Sequence, residues 1–233
     1  YVMLILIPPS EKKSKIESSD TLFENTNFEF KNEVSEIIRV LKDREKKELQ
    51  SIYSTSIEKS EQLHLQNLNV FQEKCAPAIE RYTGVVYSHI DWNNLDKKSQ
   101  KYIDEHLRIF SGLFGIVTPK TLIPEYKLKM NVLSLDKFWK PILTKELKAH
   151  DLIIDLLPQV HRKAYQPAEN VTTIDFFQIK KGKKVSAGHL GKSVKGEFVK
   201  FLATNQINKI NDIKSFSFDG FNWNKGNFIK EIK

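Results

Sequence analysis

The sequence predicts an α/β or α+β protein built as one domain over residues 1–233, with a central mixed sheet wrapped by helices. Three observations predict it. Short apolar, β-branched runs stand at both ends of the chain, and segments of helical period lie between them. Apolar residues make up 40% and charged residues 28% of the 233, the balance of a globular chain rather than a disordered one. No repeat of fixed period and no Pro/Gly/Ser-rich linker divides the sequence.

The elements follow in order. Met3 to Ile7 reads as a buried strand, and Pro8-Pro9 ends it because proline cannot donate to a ladder. Residues 10–27 are polar and read as an irregular surface connection. Lys31 to Tyr53 places Val34, Ile37, Ile38 and Leu41 at helical spacing, and a second helical stretch runs from Ile57 to Val70. Pro77 to Gly84 reads as a short strand entering a turn, followed by Val85 to Tyr87. Ser99 to Phe110 reads as one helix, with Tyr102, Ile103, His106, Leu107 and Phe110 in a stripe. Gly112 and Gly115 interrupt it. Thr118-Pro119 then supplies an N-cap with proline at the first helical position, opening a short helix limited by Pro124. Phe138 to Leu147 is an amphipathic helix and Leu152 to Leu156 a buried strand. Val171 to Ile179 alternates as a strand, Lys180 to Lys184 turns like a hairpin, and Ser193 to Asn205 is helical. Short strands are expected around Ser215 to Phe221 and Asn227 to Ile232.

Charge narrows the partners. Lys and Arg number 37 against 29 Asp and Glu, a formal charge of +8. The excess is concentrated: Gln178 to Lys200 holds Lys180, Lys181, Lys183, Lys184, Lys192, Lys195 and Lys200 against the single acid Glu197. Concentrated positive charge is an argument for an anionic partner. No apolar run approaches the ~20 residues that span a bilayer, and the opening run lacks the basic start and longer apolar core of a secretory signal. Met3 is the expected initiator. The chain is therefore expected to be cytoplasmic, with no membrane association. One cysteine, Cys75, excludes an internal disulfide and a multi-cysteine metal site. The six histidines are scattered, and HExxH, GxSxG, GxGxxG and the phosphate-binding P-loop are all missing. No catalytic residue, metal or cofactor is assigned.

Five segments carry candidate chemistry. Ser10-Glu11-Lys12-Lys13 follows the first strand, and strand ends are where α/β proteins place ligand contacts; a solvated loop is the plain alternative. His106 to Lys120 has the layout of a helix-hairpin-helix element, in which Gly112 and Gly115 would let backbone N–H groups approach a phosphate. Two residues separate these glycines instead of one, and a structural tight turn explains them as well. Tyr126-Lys127-Leu128-Lys129-Met130 alternates, with Lys127 and Lys129 on one side. Lys192 and Lys195 lie three apart on one helix face beside His189 and Gly191. Asp155 ends a buried strand, a position for a catalytic carboxylate or a turn cap.

Together these segments resemble the YaaA family of bacterial peroxide-stress proteins. The matching pieces are Met3 to Lys12, Tyr82-Thr-Gly-Val-Val-Tyr87, Leu107 to Pro119 with its Ser-Gly-Leu-Phe-Gly block, Ile123 to Met130, Phe138 to Leu143, Asp155-Leu156 and Lys192 to Gly196. Lys127 stands where that family often has arginine between its tyrosine and leucine, as does Thr118 before its proline, and Leu157 to Tyr165 departs from a usual serine/glycine-rich turn. The resemblance implies an α+β fold with a curved mixed sheet and a helix-hairpin-helix element. It also implies binding of double-stranded DNA and protection of DNA from hydrogen peroxide and iron. On that reading Arg108, Lys120, Lys127 and Lys129 contact phosphates beside Gly112 and Gly115, and Lys12, Lys13, Lys192 and Lys195 extend the surface. The alternative is an enzyme acting on a nucleotide or phosphorylated substrate, with Lys12, Asp155, Lys192 and Lys195 converging in one pocket.

Overall fold

The Met3–Ile7 strand is buried along its whole length, which its Met-Leu-Ile-Leu-Ile sequence demands, because both faces need an apolar neighbour. It lies between two parallel partners. Leu107–Ser111 pairs on one side, with Ile5 opposite Leu107 and Ile7 opposite Ile109, and Leu152–Asp155 pairs on the other, with Leu6 opposite Asp155. Gly115–Val117 extends the sheet antiparallel beyond Leu107–Ser111, and Val171–Thr173 extends it parallel beyond Leu152–Asp155. These coordinates come from a computed structural model that describes residues 2–233.

The fold is α+β, but the sheet is not single. A second five-stranded sheet is ordered Ser217–Phe218, Phe221–Asn224, Asn227–Ile232, Phe176–Lys180, Lys183–Ser186. A two-stranded ribbon joins Ala76–Pro77 to Leu122–Ile123. The segment expected as one strand, Val171 to Ile179, breaks after Thr173 and supplies one strand to each large sheet. The helix Gly188–Thr204 packs over the second sheet through Phe198, whose ring centroid lies 5.0 Å from that of Phe228. Gly196 seats this helix against Val85–Ile90, since a Cβ there would come within 2.3 Å of the Val86 carbonyl oxygen. Among the described residues no helix is long and apolar enough to cross a membrane.

Three expectations fail for identifiable reasons. Val85 to Tyr87 is helical, within Val85–Ile90, and Ala78–Arg81 forms a preceding turn of helix. The helix expected over Ser99 to Phe110 spans Lys97–His106 and then becomes the Leu107–Ser111 strand. A run buried on both sides looks alike in a helix and a central strand, and pairing with Met3–Ile7 decides the outcome. His106 marks the change, its Nδ1 lying 2.7 Å from the Met3 carbonyl oxygen. No helix starts at Thr118-Pro119; residues 118–121 form a turn leading into Leu122–Ile123.

The glycine corner is therefore a β-hairpin, not a helix-hairpin-helix, and it is sealed. Leu113 and Phe114 are fully buried at its tip. Ser111 Oγ accepts the Phe114 N–H at 3.0 Å, and the Trp139 indole donates to the Gly112 carbonyl at 2.9 Å. A Cβ at Gly112 would fall 2.5 Å from the Leu128 carbonyl oxygen, and Gly115, at φ +73°, would drive one to 2.6 Å from the Trp139 ring. Both glycines serve close packing, and neither offers its backbone to a phosphate.

Gly115→Ala combines a left-handed backbone with overpacking, terms of about 1–2 and 1–3 kcal/mol. Together, at about 2–4 °C per kcal/mol for a domain of this size, they are expected to lower the thermal midpoint by roughly 4–20 °C. An unchanged melting curve would show that the corner is loosely packed.

Candidate functional site

The first strand runs between two parallel neighbours, and a crevice lies beyond its carboxyl end and that of Leu152–Asp155, bordered by Pro8, Pro9, Leu157 and Pro158. The chain after Ile7 is fastened along one wall of it. Tyr87 donates its hydroxyl to the Pro8 carbonyl at 2.6 Å, and Ser10 Oγ donates to the Lys12 carbonyl at 2.6 Å. The Thr83 N–H reaches the Lys12 carbonyl at 3.1 Å, and the Ser14 N–H reaches the Arg81 carbonyl at 2.8 Å. Gly84 makes room for this path, because a Cβ there would lie 2.5 Å from Ser10 Oγ. Behind it the buried Arg81 guanidinium donates to the Ser14 carbonyl at 2.9 Å and to the Ile123 carbonyl at 3.2 Å.

A second wall is the extended segment 124–130. It joins no sheet, yet it alternates as its sequence predicts: Tyr126, Leu128 and Met130 are buried, and Lys127 and Lys129 face outward. Asn67 substitutes for a strand partner, accepting the Lys127 N–H at 2.9 Å and donating to the Lys127 carbonyl at 2.6 Å. The Tyr126 hydroxyl lies 2.6 Å from that of Tyr82 and 2.7 Å from Ser111 Oγ, a buried relay that locks the two walls together. The third wall is the start of Gly188–Thr204, from which Lys192 and Lys195 project on one side while Val194 and Gly196 face inward.

Between these walls lies a cleft of about 1210 Å³ lined by Lys12, Lys13, Lys127, Lys129, Lys192 and Lys195. Three separate stretches of sequence thus bring six of the predicted site residues to one concavity. Glu11 is its counter-charge, 3.2 Å from Lys127 Nζ and 2.8 Å from Lys129 Nζ. The Lys129 contact, more than any other, holds the Glu11 carboxyl below its ordinary range. Lys13 and Lys195 differ from the rest. Burial, reinforced by Lys127, pushes Lys13 down to about 7, and burial, reinforced by Arg162, pushes Lys195 down to about 8. His161, beside Lys195, is driven by burial to about 4 and has no hydrogen-bond partner at Nδ1.

The remaining predicted residues lie elsewhere. Arg108 borders a separate groove of about 450 Å³ with Glu146 and His150, and its guanidinium donates to the Leu107 carbonyl at 2.8 Å. Lys120 is held by Asp104 at 2.6 Å. Asp155 does not reach the cleft: it is wholly buried, accepting the Leu157 N–H at 2.7 Å, Arg162 Nε at 3.3 Å and the Tyr165 hydroxyl. Arg162 in turn holds Asp175 at 2.9 Å. This carboxylate, engaged at both oxygens and closed off from the cleft, braces the loop after its strand. Cys75 is buried with its thiol raised to about 11, the state of an inert packing residue. Among the described residues no group of three or more His, Cys, Asp and Glu is placed to hold a metal ion.

A family model described as "Peroxide stress protein YaaA" matches residues 3–227. The chain belongs to this family. Among similar curated proteins, a Finegoldia magna protein named "UPF0246 protein" is 28% identical over 245 residues, covering 98% of this chain and 96% of its own. Another of that name from Francisella tularensis subsp. novicida is 28% identical over 242 residues, covering 95% of each. In this YaaA family member the Tyr82-Thr-Gly-Val-Val-Tyr87 block, a weak motif by itself, fastens the lysine loop. Arg81, Asp175 and the Tyr82–Tyr126 relay carried no signal of their own in the sequence.

Asp155→Asn removes one of the two carboxylates on Arg162, which keeps Asp175, and weakens the acceptor of the Leu157 N–H and the Tyr165 hydroxyl, a loss of about 1–3 kcal/mol. Denaturant unfolding should register it as a lower midpoint, and a variant as stable as the parent would deny the bracing role.

Proposed function

We propose that this peroxide stress protein binds double-stranded DNA through its sugar–phosphate backbone at the lysine cleft, and that this contact underlies protection of DNA against hydrogen peroxide and iron. The supporting observation is the convergence of Lys12, Lys13, Lys127, Lys129, Lys192 and Lys195 on one concavity. A duplex presents one negative charge per ~1.7 Å of axis, so a row of ammonium groups displaces condensed counterions and grips without reading sequence. The sealed glycine corner takes no part in this reading, and neither do Arg108 and Lys120. The lysine hairpin at Lys180 to Lys184 is an outlying patch.

A second reading is an enzyme acting on a nucleotide or phosphorylated substrate in the same cleft. Its support is the position beyond the carboxyl ends of parallel strands, together with two half-buried lysines of low proton affinity. Asp155, buried behind the wall, supplies no base to it.

Fluorescence-anisotropy titration with a mixed-sequence duplex tests the first reading. Affinity should fall steeply with salt, and Lys12→Ala and Lys192→Ala should each reduce the slope of log K against log salt by about 1. Lys120→Ala should leave the slope unchanged. Absence of binding in dilute buffer, or slopes indifferent to the cleft lysines, would remove the proposal. Affinity should also rise as pH falls through about 8 and about 7, because Lys195 and Lys13 take up protons there and ammonium groups attract phosphate. Glu11→Gln, which frees Lys127 and Lys129, should tighten binding by roughly 3–10-fold. Weaker binding by that variant would mean that Glu11 organises the lysines instead of competing for them.

A further inference from the structure

The six cleft lysines fall into two kinds. Lys12 and Lys192 extend into solvent, and Lys127 and Lys129 are engaged by Glu11. Lys13 and Lys195 are half-buried, and among the described residues neither has a carboxylate within salt-bridge distance. Lys195 lies close to Asp155 and Asp175, which favour its charged form. Lys13 is held differently. Its backbone bridges to Tyr82, and its Nζ sits 4.4 Å over the centre of the Tyr126 ring and 5.6 Å from that of Tyr82. A single hydrogen bond, to the Glu11 carbonyl at 3.3 Å, is its polar contact.

We propose that the Lys13 amine condenses with the carbonyl of a phosphate-bearing aldehyde in this cleft, forming an imine while the neighbouring lysines hold the phosphate. The Nζ lone pair adds to the carbonyl carbon to give a carbinolamine. Loss of the hydroxyl as water, with one proton taken up and the N–H proton released, leaves the C=N bond, so no oxidant or reductant is needed. Several groups set the protonation of that amine. Burial and the cations Lys127 and Arg81 favour the neutral form, while Glu11, Glu125 and the faces of the Tyr126 and Tyr82 rings favour the charged one. Glu11 is partly neutralised by its two lysine partners. A lysine of this kind, desolvated beside other cations, is the usual form of an amine nucleophile. The proposal deepens the enzyme reading of the cleft and rests on the cleft taking phosphate. It does not require that an intact duplex bind.

Two sources share the chemistry: a free sugar phosphate, and the ring-opened sugar of an abasic site in DNA. The full-length chain is incubated near pH 7 with cyanoborohydride and either glyceraldehyde 3-phosphate or a duplex holding one abasic site. The adducts are then located by peptide mass spectrometry. Lys13 should be labelled at least about 10-fold faster than the exposed lysines, and the arm that labels it identifies the source. Glyceraldehyde, which lacks the phosphate, should react at Lys13 at least about 10-fold more slowly than its phosphate ester. Lys13→Arg keeps the cation and should abolish that adduct, with circular dichroism confirming the fold. Labelling spread over surface lysines, labelling at Lys195 with Lys13 untouched, or no Lys13 adduct in either arm overturns the proposal. Salt-sensitive binding of an undamaged duplex is measured alongside. Its retention without a Lys13 adduct defeats the imine alone, and a Lys13 adduct without duplex binding defeats only the DNA-backbone reading.

Discussion

The cleft depends on one constraint: the chain leaving the first strand is tied down by its backbone, which leaves its side chains free. Pro8, Lys12 and Ser14 give their carbonyls to Tyr87, Thr83 and Arg81 in turn. Lys12 and Lys13 therefore stand on a fixed edge and not on a floppy loop, and a fixed edge loses less entropy when a ligand binds. Arg81 is the costly member of the frame. It is buried without an ion-pair partner among the described residues, its proton affinity is lowered by burial, and it donates to the Ser14 and Ile123 carbonyls. An arginine serves here because its planar fork reaches two chain segments at once.

The sequence disclosed the Leu135–Lys148 helix, the lysine-bearing helix and the last strand by their period, and Met3–Ile7 by its short β-branched run closed by Pro8-Pro9. It misled where burial on both sides erases the period. Leu107 to Phe110 continues the stripe of the helix before it, yet the register with Met3–Ile7 makes it a central strand. No local pattern contains that register. The division of Val171 to Ile179 between two sheets was hidden for the same reason, since alternation reports which side a residue faces but not which sheet it joins.

The site was legible as a set of residues and illegible as a shape. Lysines at 12, 13, 127, 129, 192 and 195 stood out by charge, and the alternation of 126–130 placed two of them outward correctly. What brings them together is a buried hydroxyl relay and an asparagine distant in sequence, neither of which has a signature. The glycine corner shows the opposite failure. Glycines near basic residues look like a phosphate loop, but a glycine is equally required wherever two backbones or a backbone and an indole meet, and the sequence does not say which. Cys75 is similar: a lone thiol in a peroxide stress protein invites a sensing role, and its burial with raised proton affinity argues for packing.

Glu11 gives the cleft its electrostatic character. An empty concavity lined by six lysines would repel itself, and one carboxylate placed between two of them relieves part of that repulsion. On the proposed reading, an incoming phosphate would exchange with Glu11 for Lys127 and Lys129 instead of adding to bare charge, which would moderate affinity and disfavour weak anions that cannot displace a carboxylate. The half-buried Lys13 and Lys195 relieve the remainder by the other available route, giving up protons near neutral pH. The two routes act at different depths, since the exchangeable carboxylate sits on an exposed side chain and the proton-losing amines lie deeper. If the cleft takes phosphate as proposed, the anion would meet charged groups at the rim first, and its own charge would draw protons onto the lysines further in, so that binding and proton uptake would reinforce each other.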